Sequence, residues 1–162
     1  MKFAGYRLMK RSESLQSFSR EHHDALMFCL LLKKGVNRKV ALSTLRDFIY
    51  QFWHHDLEPH FQSEEKVLVP LLERFQFPVN IIRSIKLDHD IIRTIQHRIN
   101  MGAVSHKTIE NFSMLIEQHI RFEERVAFEQ IQRLIPEKEL FDLHLAENTE
   151  SVCKTYPVKF WE

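Results

Sequence analysis

Two stretches of this chain carry the same pattern. His-Phe-Gln-Ser-Glu-Glu-Lys-Val runs from His60 to Val67, and His-Ile-Arg-Phe-Glu-Glu-Arg-Val runs from His119 to Val126. In each, a glutamate follows a histidine at four residues: His60 with Glu64, His119 with Glu123. On an α-helix, residues four apart lie one above the other on the same face. Each copy is therefore a clamp for a metal cation, with one imidazole nitrogen and one carboxylate oxygen. A fainter echo pairs Glu21 to Asp24 (Glu-His-His-Asp) with Asp88 to Asp90 (Asp-His-Asp). Two clamps and two single histidines are the ligand inventory of a two-metal carboxylate site inside a helix bundle. One His-x-x-x-Glu arises often by chance; the repeat, with matching flanks, is a more specific signal.

The candidate ligands are His60, Glu64, His89, His119, Glu123 and one of His22 or His23. Aligning His-Asp on His89-Asp90 selects His23, whereas aligning the preceding acid selects His22; helical phase puts His22 nearer the centre of the apolar stripe and His23 at its edge, beside Leu30. Neutral imidazole suits iron, zinc or copper, and a carboxylate adds charge and can bridge two ions. Glu64 and Glu123 are the natural bridges, between ions about 3.5–4 Å apart. Taken singly, each group has an ordinary reading. A lone histidine on an apolar face is usually a hydrogen-bonded core residue, and a lone glutamate usually faces water. Jointly they require a cation, because two carboxylates buried together repel. His54, His55, His97, His106 and His144 are expected at the surface. Glu65 and Glu124 point about 100° from the clamp glutamates, towards solvent or towards ligand imidazoles as acceptors.

Those groups must be positioned by helices. The chain has 162 residues, 44% hydrophobic, with three glycines and five prolines; it fits one domain with a substantial core. Ser12 or Ser14 can cap a first helix carrying Leu15, Phe18, Leu26, Cys29 and Leu30 inward and ending near Gly35. A second, starting at Asn37 or Ser43, carries Leu45, Phe48, Ile49, Phe52 and Trp53 and runs through His60 towards Leu72. Pro59 predicts a kink or a 3₁₀ turn just before His60, and Pro70 should disturb the last turn. Pro78 can be the first residue of a third helix with Ile82, Ile85, Ile92 and Ile99 inward, stopped at Met101-Gly102. Ser105 opens a fourth with Ile109, Phe112, Leu115, Ile116, Phe122 and Val126. Pro136 begins a short fifth helix to about Asn148, and residues 149–162 form a tail. The predicted fold is all-α: an up-down-up-down four-helix bundle over 1–148, with a short C-terminal helix and tail. A level check supports it. His89 and His119 are centred on residue 104, inside the third connection; His60 and His89 are centred between 74 and 75, near the second. His23 and His60 are centred between 41 and 42, so the second helix should start nearer Ser43.

A net charge of +1 gives no electrostatic case for nucleic-acid binding. The apolar runs, such as Met27 to Leu32, are too short for a bilayer. Cys29 and Cys153 make neither a disulfide framework nor a thiolate zinc site, and no apolar leader is visible. A cytoplasmic protein is expected.

The motifs at 20–26, 59–72, 87–92 and 119–126 together resemble the hemerythrin-like, or HHE cation-binding, family over roughly residues 12–134. The resemblance implies a four-helix bundle holding two iron ions, with an oxo or hydroxo bridge, histidines from all four helices and Glu64 and Glu123 as bridging carboxylates. Zinc or manganese are the expected substitutes. Oxygen carriers of that family show a fifth histidine one turn after the third-helix ligand; Arg93 stands there. They also carry an aspartate in the fourth helix, where this chain has His119-x-x-x-Glu123. Members that repair iron–sulfur centres resemble the four-His, two-Glu set. The expected role is a binding or sensing protein for O2, NO or iron. Against it stand a di-iron oxidase or peroxide-reducing enzyme, and a zinc-bound or metal-free interaction module. The aromatic tail, with Phe160 and Trp161, leaves room for a homodimer.

Overall fold

A computed structural model describes residues 10–143 and 150–162. Four long helices dominate: α1 (Gln16–Asn37), α2 (42–74), α3 (Val79–Asn100) and α4 (106–134). Two short ones follow, α5 (Glu137–Leu140) and α6 (Val152–Thr155). The connections 38–41, 75–78 and 101–105 are too short for anything but antiparallel neighbours. Helix α4 packs on α1 and α3, and α2 on α1 and α3. The predicted all-α four-helix bundle is the observed fold, and no helix among the described residues is long and apolar enough to cross a membrane. The expected fifth helix gives way to a 3₁₀ turn at Phe141–Leu143; the stretch to Asn148, with His144, lies outside the described residues.

Local chemistry corrects several boundaries. Helix α1 runs past Gly35 to Asn37, and α2 starts at Leu42, as the level check required. Ser12 and Ser14 do not cap α1; their hydroxyls donate to Glu137 Oε1 at 3.1 and 2.9 Å and tether the N-terminal 3₁₀ turn to α5. Pro78 is the residue before α3 rather than its first. Ser105 does cap α4, accepting from the Thr108 N–H at 3.1 Å in a capping box closed by the Thr108 hydroxyl. Leu30 and Val126 were expected inward but are exposed, because each sits one residue off the stripe that Cys29 and Ala127 occupy.

Proline bends α2 by another route than a 3₁₀ turn. Residues Trp53–Leu57 and Glu64–Leu68 form wide π turns, with Glu58 N–H bonded to the Trp53 carbonyl and Val69 N–H to that of Glu64. In a regular helix the rings of Pro59 and Pro70 would clash with the carbonyls of His55 and Lys66; each wide turn relieves one such clash. A third π turn, Glu123–Ala127 in α4, has no proline behind it. What the last two share is their first residue, the clamp glutamate.

The core is split in two. One apolar cluster includes Phe28, Phe48, Phe52, Ile92, Ile99, Phe112 and Ile116, and the other Leu15, Phe18, Leu72, Ile85, Phe128 and Ile131. The tail belongs to the first cluster. Val152, Cys153 and Tyr156 are buried there, Phe160 and Trp161 pack on Phe48, and Tyr156 donates to Asp47 Oδ2 at 2.7 Å. This docking explains Gly35. A Cβ there would lie 2.6 Å from Leu45 Cδ2 and 2.9 Å from Phe160 Cε2. Gly35→Ala is therefore expected to destabilise the fold by about 1–3 kcal/mol through overpacking, despite the gain of about 1 kcal/mol in helix propensity. Urea denaturation reads the sign; a net gain would mean that Leu45 and Phe160 yield freely.

Candidate metal centre

Between the two apolar clusters lies a polar layer. It is built from His22 of α1, His60 and Glu64 of α2, His89 of α3, and His119 and Glu123 of α4, all buried. The clamps close as the spacing predicted: His60 Nε2 is 3.2 Å from Glu64 Oε1, and His119 Nε2 is 3.3 Å from Glu123 Oε1. His22 Nε2 faces His60 Nε2 at 3.1 Å, and His89 Nε2 faces His119 Nε2 at 3.1 Å. The six side chains form two groups that could each hold a metal ion: His22, His60, Glu64 and Glu123; and Glu64, His89, His119 and Glu123. Both glutamates belong to both groups.

Of the two alternatives left open on α1, His22 enters the layer and His23 is exposed. The reason is helical phase: Phe18, His22, Ala25 and Cys29 form one buried stripe. His54, His55 and His97 are exposed as expected. His106 is not a free surface residue; it is half-buried and its Nε2–H donates to the Val40 carbonyl at 2.8 Å.

Each imidazole is turned by a carboxylate from a neighbouring helix. Glu124 takes His22 Nδ1 at 2.6 Å, Glu21 takes His60 at 2.6 Å, Glu65 takes His89 at 2.8 Å, and Asp88 takes His119 at 3.2 Å. The links run from α1 to α2, α2 to α3, α3 to α4 and α4 back to α1, a closed ring. Every acceptor is the sequence neighbour of a ligand residue. The sequence offers Glu65 and Glu124 for this role; it gives no such signal for Glu21 and Asp88, although both adjoin a candidate histidine.

This ring decides what the centre can do. A neutral imidazole whose Nδ1–H is donated outward presents a bare lone pair at Nε2. Four lone pairs then converge on two carboxylates whose oxygens, fully buried, have no hydrogen-bond partner. Such an arrangement is repulsive without positive charge at its centre. In the metal-free protein protons supply that charge. Burial alone would lower the His60 pKa, but the Glu64 charge and the hydrogen bond to Glu21 outweigh it and push it up to about 9. His22 and His89 are likewise raised against their burial by Glu123, Glu124 and Glu64. Burial opposes ionisation of Glu64 too, yet the facing histidines hold its pKa well below the ordinary carboxylate range. The donor set fits divalent metal cations.

The family described as "Hemerythrin HHE cation binding domain" matches residues 14–131, most of the chain. The chain belongs to this hemerythrin HHE family. No curated protein and no solved structure gives a significant match to it. In this HHE domain the position of Arg93, one turn after His89, faces away from the ion groups: its guanidinium bonds Glu65 Oε1 at 2.7 Å and Glu58 Oε2 at 3.0 Å.

Proposed function

We propose that this HHE domain holds two iron ions as a non-haem di-iron centre and uses it to bind or sense O2, NO or iron. The observation that carries the reading is the pair of four-residue groups sharing Glu64 and Glu123. His22 and His60 would hold one ion, His89 and His119 the other, and the two carboxylates would bridge them. Bound iron supplies reversible one-electron chemistry and coordination positions for a diatomic ligand. The protein orients four Nε2 atoms through the outer carboxylates and excludes water. Phe61 stacks on His89 with centroids 3.9 Å apart, and Phe128 on His22 at 5.3 Å.

The test is anaerobic reconstitution with ferrous iron, a metal count, then exposure to air, NO or azide. Two irons per chain and new near-ultraviolet and visible bands are expected. No iron uptake, or a single zinc that iron cannot displace, overturns the reading.

Protons and metal compete for the same nitrogens. Because the metal-free His60 pKa is about 9, His60 is protonated at neutral pH and a cation must displace that proton. Metal affinity is expected to rise with pH up to about 9 and to fall below it, a higher onset than free imidazole near 6.5 would give. Calorimetric titration at pH 7.5 in two buffers of different ionisation heat should show proton release on uptake. Equal heats in both buffers would contradict it.

A further inference from the structure

Two arginines stand behind the ring of outer carboxylates, each bonded to a glutamate that holds a ligand histidine. Arg93 Nη1 bonds Glu65 Oε1 at 2.7 Å, and Glu65 holds His89 Nδ1. The Arg93 guanidinium also lies 5.7 Å over the Phe61 ring, which stacks on His89. On the opposite side Arg11 Nη2 bonds Glu124 Oε2 at 2.8 Å, and Glu124 holds His22 Nδ1. Arg11 lies 5.4 Å over Phe128, which stacks on His22. Both assemblies are thus arginine, glutamate and histidine closed by a phenylalanine. They come from unrelated places. Arg93 is on α3, whereas Arg11 precedes the residues that match the family; Phe61 follows a clamp histidine, and Phe128 lies a wide turn beyond a clamp glutamate.

Glu21 and Asp88 have no Arg or Lys partner among the described residues; their ion pairs are with His60 and His119 alone. Each ion group therefore contains one histidine backed by an arginine and one that is not: His22 with His60, and His89 with His119.

We infer that Arg11 and Arg93 are paired positioning residues that make the two ion positions equivalent. The inference rests on the two-ion reading above. Arg93 grips both Glu65 oxygens and Arg11 grips Glu124 at one side-chain oxygen and at its backbone carbonyl; such charge-assisted bonds fix a carboxylate more firmly than one left to itself. The glutamate in turn fixes the tautomer and tilt of one imidazole, and the phenylalanine, held between cation and imidazole, blocks the alternative ring orientation. With one arginine on each side, neither position is better organised than the other. Removing one arginine degrades one position and leaves its neighbour intact. Loss of a carboxylate that a ligand histidine bonds costs about 10–100-fold in metal affinity, and that range bounds the effect of losing the arginine behind it.

The experiment uses the full chain, metal-free, titrated with Co2+ while the hyperfine-shifted Nδ1–H signals of 15N-histidine-labelled protein are recorded. At one equivalent, wild type is expected to show signals of both positions. Arg93→Met should show only one set, from cobalt at His22 and His60. Arg11→Met should show only the complementary set, from His89 and His119. Arg11→Met/Arg93→Met should again show both, with both affinities lowered. In each single variant the tighter position keeps wild-type affinity, while the other weakens by up to about 10–100-fold, and Arg93→Lys recovers part of it. The same set in both single variants, or wild-type filling in either, overturns the inference while leaving the metal centre standing. Failure of wild type to bind cobalt overturns both.

Discussion

With two ions held as proposed, Glu64→Ala should cost the protein both. The carboxylate reaches across the layer: Oε1 faces His60 Nε2 at 3.2 Å and His22 Nε2 at 3.5 Å, and Oε2 faces His89 Nε2 at 3.1 Å. It is thus the one side chain on α2 that serves three other ligands from two groups. Its loss should weaken both ions beyond the roughly 10–100-fold that outer partners control. His60→Ala should instead act chiefly on the ion it shares with His22. Metal content after desalting, with circular dichroism to confirm helicity, separates the two. A Glu64→Ala protein that kept one ion at wild-type affinity would show that the carboxylate does not bridge. Glu123→Ala is expected to behave as Glu64→Ala does, since its oxygens face His22 at 2.9 Å and His119 at 3.3 Å.

The second large effect is on stability. Metal removal leaves the charges of two buried carboxylates in the middle of the bundle balanced only by protons on the facing histidines. A cation present at about 1,000 times its Kd stabilises by about 4 kcal/mol. For a domain of this size about 1 kcal/mol moves Tm by about 2–4 °C, so chelation should lower Tm by about 8–16 °C per ion. In a Glu64→Leu/Glu123→Leu double variant the chelator should change nothing, because the apolar pair neither binds metal nor leaves charge stranded. A wild-type Tm insensitive to chelation, in protein shown to hold metal, would mean that the ions contribute nothing to folding.

How much of this was legible in the sequence depends on range. The His60–Glu64 and His119–Glu123 clamps are local in the chain, so helical spacing alone placed both teeth on one face. The level of His89 followed from short connections, which force neighbouring helices to run antiparallel. His22 could not be separated from His23 by motif alignment, because the deciding fact is which stripe of α1 meets α4. Glu21 and Asp88 carry no sequence signal, since each serves an imidazole on another helix and no spacing within one helix reveals that. The π turns were read as kinks at Pro59 and Pro70, and the proline-free one after Glu123 had no local signal. Arg11 precedes the first predicted helix; only the packed structure brings it to Glu124. The tail's Phe160 and Trp161 pack on Phe48, a partner on α2 that no spacing within the tail names.

The division of the core has a dynamic consequence. The polar layer interrupts the apolar contacts between the Phe28–Phe48–Phe112 end and the Phe18–Phe128–Ile131 end, so in the metal-free protein little hydrophobic burial couples one end to the other. Units with few shared contacts open separately, each with its own free energy. Amide hydrogen exchange of the metal-free protein should therefore fall into two protection classes that meet at the histidine layer. Metal, gripping all four helices at that level, should merge them into one.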